Sequence, residues 1–226
     1  MDYRVEKKYL CTEAQLRILE QRLACLMKPD THQSGGRYSI RSIYLDTLDD
    51  RMYYESEAGL AQRSKYRIRT YNNDPATLHM EIKAKRDGYC RKWQCPLTEE
   101  ERNGILHGRP PMAGMAKSTV LARVCRLMLT EGLRPAAVIS YERTAYVERA
   151  GNVRITFDRN ITAGRDFGAF YAEHPAARPI LPTGQHILEV KYDEFLPAPI
   201  AQVLELGNLQ QTTFSKYSLG RKALDY

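Results

Sequence analysis

The chain has 226 residues, 43% hydrophobic and 27% charged, a balance that suits a packed core and excludes a disordered chain. Its net charge of +7 favours an anionic partner, left open by composition between nucleic acid, a membrane surface and a compact phosphate compound. The surplus is scattered, with no run of five Lys or Arg, and no apolar stretch approaches membrane-spanning length.

A strand is expected over 3–10, with no signal-peptide core behind Met1-Asp2-Tyr3-Arg4. Thr12 then offers an N-cap with Gln15 as its capping-box partner, and Leu16, Leu19, Leu23 and Leu26 give the following helix one apolar face that ends before Pro29. Residues 41–46 read as a strand, with Ile43 and Leu45 against Ser42 and Tyr44, and 49–59 as a short helix or turn. Strands over 64–71, 77–84 and 89–96 are joined by turns at Asn72-Asn73-Asp74-Pro75 and Arg86-Asp87-Gly88. Residues 98–132 read as two helices broken at Gly108-Arg109-Pro110-Pro111, the second with an apolar stripe of Leu121, Val124, Leu127 and Met128. Strands return over 136–148 and 152–162 around Ala150-Gly151, and over 186–192 after a Pro-rich stretch, before helices over 198–206 and 216–224. About eight strands with mostly hairpin adjacency predict an α+β fold, an eight-stranded antiparallel β-barrel with helices on its outside, as a single domain over 1–226.

The strands carry an unusual pattern. Glu6-Lys7-Lys8, Arg67-Ile68-Arg69, Glu81-Ile82-Lys83, the run from Arg154 to Asp158, and Glu189-Val190-Lys191 put charges on one face, while Ile68, Ile82, Ile155 and Val190 take the other. One such pair is ordinary surface charge. Recurring at both ends of the chain, the pattern points to one inward face shared by several strands. Buried charges must be paired or liganded, so a lumen of this composition calls for water and a polyanion. Arg offers a planar fork and Lys a point charge, a mixture suited to a chain of phosphates. Carboxylates among them make sense as ligands of Mg²⁺ or Mn²⁺.

Other residues carry less. Cys11, Cys25, Cys90, Cys95 and Cys125 include no CxxC pair and read as reduced structural thiols of a cytoplasmic protein. His32, His79, His107, His174 and His186 form no metal-like cluster, and Trp93 falls opposite Lys92 as a packing residue. No aromatic-basic stacking motif supports nucleic-acid binding.

Several segments resemble the VTC domain, the polyphosphate-polymerase branch of the triphosphate tunnel metalloenzymes. They are Arg4-Val5-Glu6-Lys7-Lys8-Tyr9, Ser42-Ile43-Tyr44-Leu45-Asp46-Thr47, Lys65-Tyr66-Arg67-Ile68-Arg69, Glu81-Ile82-Lys83, Ser140-Tyr141-Glu142-Arg143-Thr144-Ala145-Tyr146, Arg154-Ile155-Thr156-Phe157-Asp158, Leu188-Glu189-Val190-Lys191 and Ser215-Lys216-Tyr217, in the order that family shows. The resemblance implies an eight-stranded tunnel in which Arg67, Arg69, Lys83, Arg143 and Arg154 grip phosphates, joined by Lys8, Lys191, Ser215 and Lys216. It places a further Lys after the Gly88 turn, and alternation selects Lys92 over Arg91. Glu189 matches the metal-binding position with Glu6 as helper, while Glu81 and Asp158 either add to the metal site or orient neighbouring cations. Lys7, Lys85 and Arg91 are read as neighbours only. Arg4 stands where the triphosphatase and cyclase branch resembles a carboxylate, which favours the polymerase branch.

The implied activity is metal-dependent phosphoryl transfer from ATP to a growing polyphosphate chain, with Mn²⁺ or Mg²⁺ as cofactor. Hydrolysis of inorganic or nucleoside triphosphate and non-catalytic polyphosphate binding are the competing readings. Docking onto a membrane partner is left open.

Overall fold

A computed structural model of the chain describes residues 5–31, 33, 35–87, 89–111, 116–205 and 209–225. Arg4, His32 and Gly88, which the sequence reading used, lie outside them. The chain runs β1 (Val5–Thr12), α1 (Glu13–Ala24), β2 (Lys28–Pro29), β3 (Tyr38–Asp46), α2 (Arg51–Glu57), β4 (Arg63–Tyr71), β5 (Asp74–Arg86), β6 (Tyr89–Pro96), α3 (Glu99–Leu106), α4 (Thr119–Glu131), β7 (Arg134–Glu148), β8 (Val153–Gly164), β9 (Arg178–Pro179), β10 (Gln185–Tyr192), α5 (Ala198–Leu204), β11 (Gln210–Gln211) and α6 (Lys216–Leu224). The fold is α+β with antiparallel pairing, as expected. Setting aside the two-residue strands β2, β9 and β11 leaves the eight that alternation predicts.

Closure differs from the expectation. The pairing path runs β11-β1-β10-β8-β7-β3-β4-β5-β6, and no pairing among the described residues joins its two ends. Closing a barrel needs a staggered ladder along both end strands, and β11 offers only two residues for one. None of the described helices is long and apolar enough to cross a membrane.

The chain clusters into two compact units, Met1–Ser39 with Tyr141–Ile161 and Leu181–Phe214, and Ile40–Ser140 with Thr162–Ile180 and Ser215–Tyr226. In the first, the Thr12 hydroxyl accepts from the Gln15 amide while the Gln15 side chain accepts from the Thr12 N–H, the predicted capping box. Helix α1 then buries Leu16, Leu19 and Leu23 against Cys11, Val153, Ile155, Phe157, Leu188 and Val190. Each such large apolar side chain contributes about 1.5–3 kcal/mol through burial. Leu26 is a correction: the helix ends at Ala24, so Leu26 falls past its apolar face and is exposed. Cys11 of β1, Val153, Ile155 and Phe157 of β8, and Leu188 and Val190 of β10 turn to this core, which sends the alternate residues of those strands to the opposite face.

In the second unit, β3 to β6 form a meander whose apolar face carries Ile43, Leu45, Tyr66, Ile68, Met80, Ile82 and Cys95. Helix α4 packs on β5 and β6 and buries Val120, Leu121 and Val124. The β4–β5 turn is tighter than predicted. Tyr71 pairs with Asp74, so the loop is Asn72-Asn73 alone, both with positive φ of 52° and 54°. Asn tolerates that region and gives a two-residue hairpin loop, leaving Asp74 and Pro75 to the strand. Trp93 lies opposite Lys92 as expected, with the Arg123 guanidinium 5.9 Å from its ring centre. Helix α6 approaches so closely that a Cβ at Gly220 would sit 2.3 Å from Ile139 Cδ1.

Candidate functional site

Two charged faces emerge, one in each unit. On the second unit, the ladder fixes three rows across β4, β5 and β6. Arg63 pairs with Lys85 and Lys85 with Cys90; Lys65 with Lys83 and Lys83 with Lys92; Arg67 with Glu81 and Glu81 with Gln94. Arg69 and His79 follow as the next pair, before the register shift that precedes Tyr71. Because the register holds without a slip across these rows, all of these residues share the face opposite the apolar one. Every charged position on it is cationic except Glu81.

Glu81 is the hub of this face. Its side chain is 2% exposed, and Arg67 Nε and Nη2 each lie 2.7 Å from Oε2 while Lys92 Nζ lies 2.7 Å from Oε1. Arg69 Nη1 adds a contact at 3.5 Å. Burial pushes the carboxyl up, but Arg67, Arg69 and Lys92 outweigh it and hold Glu81 down to about 2. Arg67 Nη1 also donates to the Tyr44 hydroxyl at 2.9 Å, and Arg69 Nε to Ser42 Oγ at 3.1 Å. Burial raises the Tyr44 phenol, yet the field of Arg67, Arg69 and Lys65 dominates and brings it to about 8. The ring of Tyr44 stacks on Tyr217, centroids 5.0 Å apart, and the Tyr217 hydroxyl donates to buried Asp46. Ser215 caps α6 through the Ser218 amide and accepts from Lys65 Nζ at 2.8 Å, with Lys216 as the first helical residue.

On the first unit, Glu6 pairs across the ladder with Lys191, and Lys8 with Glu189. The four close a square: Lys8 Nζ reaches Glu6 at 3.0 Å and Glu189 at 3.7 Å, and Lys191 Nζ reaches Glu189 at 2.5 Å and Glu6 at 3.6 Å. Burial lowers the Lys8 ammonium, and the two carboxylates raise it more, so it stays charged. Lys8 also donates to the Phe214 carbonyl at 3.1 Å. On β8, Arg154 bonds Asp30 and the Tyr38 hydroxyl. Arg143 meets buried Asp158 through two bonds of 2.6 and 2.8 Å, and although burial opposes its charge, that pairing lifts its pKa well above the ordinary arginine range. Here cations and carboxylates balance.

Glu6 and Glu189 therefore share one face, each within reach of both Lys8 and Lys191. Among the described residues no group of three or more His, Cys, Asp or Glu could hold a metal ion. Two carboxylates fit an ion that takes its other ligands from phosphate oxygens and water, as Mg²⁺ does, and do not fit an all-protein cage. Glu81 and Asp158 are each engaged by arginines, as Glu6 and Glu189 are by lysines.

Of the residues assigned from sequence, Arg67, Arg69, Lys83 and Lys92 gather on the second unit's face, where Ser215 bonds Lys65 of the same face. Lys8, Lys191, Glu6 and Glu189 gather on the first, with Arg143 and Arg154 on its strands β7 and β8. Two members were missed. Lys65 is two residues before Arg67 and was readable from the same alternation. Tyr44 was readable only as the non-apolar side of its strand, since its neighbours Arg67 and Tyr217 come from elsewhere in the sequence.

The sequence model of the VTC domain family matches residues 3–225. Among solved structures, the chain is similar to a protein from Hippeastrum described as an adenylyl cyclase with a dominant triphosphatase activity. The TM-score is 0.55 at 14% identity, over 98% of this chain and 96% of that one. A protein from Bacillus halodurans assigned as an adenylate cyclase gives the same TM-score and identity over 95% and 94%. At such identities the likeness is one of fold. A sequence search of curated proteins gives no match.

Proposed function

This chain belongs to the VTC domain family, and we propose from that premise that it transfers the γ-phosphoryl group of ATP to the end of a growing inorganic polyphosphate chain. The observation that supports the reading is the composition of the β4–β6 face, where cations occupy every charged position but Glu81. Such a face suits an anion far more than a neutral ligand, and the Arg forks suit phosphate oxygens.

In the proposed step a terminal oxygen of the acceptor chain attacks the γ-phosphorus. The bond from that phosphorus to the bridging oxygen breaks, and ADP leaves with the electron pair. The attacking oxygen is already anionic, so no histidine base is needed. Arg67, Arg69, Lys83 and Lys92 hold phosphate oxygens in line and offset the charge of the transition state, with Lys8, Arg143, Arg154, Lys191, Ser215 and Lys216 as further phosphate contacts. Glu81 holds the Arg67 guanidinium in one orientation for this work. Mg²⁺ or Mn²⁺, held by Glu6 and Glu189, would supply additional neutralisation of phosphate charge. The five free cysteines suit a reducing cytoplasm, where ATP is at hand.

Triphosphate hydrolysis is the second reading, favoured by the activity named for the Hippeastrum neighbour. Incubation with ATP and Mn²⁺ separates the two. Long polyphosphate on a gel supports transfer, whereas free phosphate alone defeats it, and tight binding without turnover under any divalent ion indicates a binding module. Lys191→Ala should abolish turnover with the fold intact, Arg67→Ala should abolish it at a cost in stability because Glu81 loses its closest partner, and wild-type rates in either would sink the site assignment.

A further inference from the structure

The transfer step needs no proton acceptor, because its nucleophile is already an anion. Water attacking the same phosphorus does need one, since it must shed a proton as the new bond forms. Most of the β4–β6 face has no such group to offer. The arginines and lysines are cations, and Glu81 is held at about 2 by Arg67, Arg69 and Lys92, which leaves it a weak base at neutral pH. His79 is the one imidazole on the paired rows of this face. It stands opposite Arg69 on β4 and two residues before Glu81 on β5. Directly opposed residues have Cβ atoms about 4.5–5.5 Å apart, which puts the His79 ring beside the phosphate contact Arg69.

The ring is anchored on one side only. Nδ1 lies 2.6 Å from the Thr77 carbonyl oxygen. A carbonyl can only accept, so Nδ1 carries the hydrogen and Nε2 of the neutral ring keeps its lone pair. Thr77 is itself tied down, for its hydroxyl donates to the Asp74 carbonyl at 2.8 Å and accepts from the Tyr71 N–H at 2.9 Å across the hairpin. Among the described residues no protein group bonds Nε2, and the half-buried side chain is open to water. An imidazole oriented through one nitrogen, with the other left basic, is the arrangement of a general base.

We propose that His79 is a general base for water on the β4–β6 face, giving the chain a second activity, hydrolysis of the terminal phosphate of ATP or of a polyphosphate end. The proposal rests on the reading of this face as a phosphate site and adds to it a residue and a reaction. The water oxygen bonds to the terminal phosphorus while its proton passes to Nε2. The bond from that phosphorus to the bridging oxygen breaks, the shortened phosphate compound leaves with the electron pair, and the imidazolium returns its proton to solvent. Transfer and hydrolysis share their phosphate contacts and part only at the nucleophile.

Polyphosphate and free phosphate measured in the same reaction of the whole chain with ATP and Mn²⁺ test it. His79→Asn keeps an N–H for the Thr77 carbonyl and has no basic nitrogen. It should lower phosphate release about 100-fold, the lower end of what general acid–base catalysis supplies, and polyphosphate synthesis by under about threefold. Added imidazole should restore phosphate release to His79→Ala, which a merely structural role would not allow. Equal falls in both products, no fall, or no rescue would overturn the base. Polyphosphate without phosphate in wild type would remove hydrolysis and leave transfer standing. Phosphate alone in wild type, lost in His79→Asn, would remove transfer and leave the base standing. With neither product, both fall.

Discussion

Replacing Glu81 with Gln would test the electrostatic logic of the β4–β6 face most directly. The substitution keeps the shape of the side chain and removes the charge that Arg67, Arg69 and Lys92 surround. The carboxyl lies at about 2, against an ordinary value of 4.5, because those cations outweigh its burial. A depressed carboxylate adds stability that is full above the unfolded value and is lost as pH falls through the folded one. At about 1.36 kcal/mol per pKa unit, the difference corresponds to about 3 kcal/mol at neutral pH. That agrees with the ~3–5 kcal/mol lost when one member of a buried ion pair is removed. Lys92, with its side chain 44% exposed, can turn to water and draws the expected value toward the lower bound. Urea unfolding followed by circular dichroism should therefore find Glu81→Gln about 3 kcal/mol less stable than wild type near pH 7. Near pH 3 the gap should shrink to about 1 kcal/mol, because the carboxyl of the unfolded chain takes up a proton there while the folded one still resists it. Equal stability at pH 7, or a gap that stays constant between those pH values, would refute the reasoning.

Glu189→Gln should weaken the dependence of turnover on Mn²⁺ far more than it lowers the melting temperature, and an unchanged metal response would place the ion elsewhere. Asp158→Asn leaves the Arg143 guanidinium without its two charge-assisted bonds and should cost about 3–5 kcal/mol in urea unfolding, while a loss under about 1 kcal/mol would contradict the pairing. Tyr44, lowered to about 8, contributes stability above the unfolded tyrosine range that is lost as pH falls through about 8. A tyrosinate absorbance step near pH 8 should accordingly be present in wild type and missing in Tyr44→Phe, and its survival in the variant would assign the step to another tyrosine.

Much of the fold is legible locally because its determinants are local. The Thr12–Gln15 box, the Leu16–Leu19–Leu23 face and the alternation of Ile68 with Arg67 and Arg69 depend on residues within one turn or one strand. Leu26 misleads for the same reason: helical spacing continues past Ala24, although the helix does not. Asp74 and Pro75 mislead because turn-forming residues crowd around Asn72-Asn73, and only the cross-strand pairing of Tyr71 with Asp74 shows where the loop ends. That no pairing among the described residues joins the ends of the path could not be read at all, since alternation marks faces and says nothing about which end strands pair.

The sequence by itself determined which residues are charged, which face of each strand they take, and the family to which their order belongs, because strand periodicity and motif order are properties of the linear chain. Tertiary structure alone decided how those charges neutralise one another. Glu6, Lys8, Glu189 and Lys191 balance in a square, while Glu81 answers a face whose other charged residues are cations. Charge balance on a face depends on register between strands that are distant in sequence, as Lys8 and Glu189 are. A charge is felt through space at a few ångströms, and pairing across the ladder sets those distances.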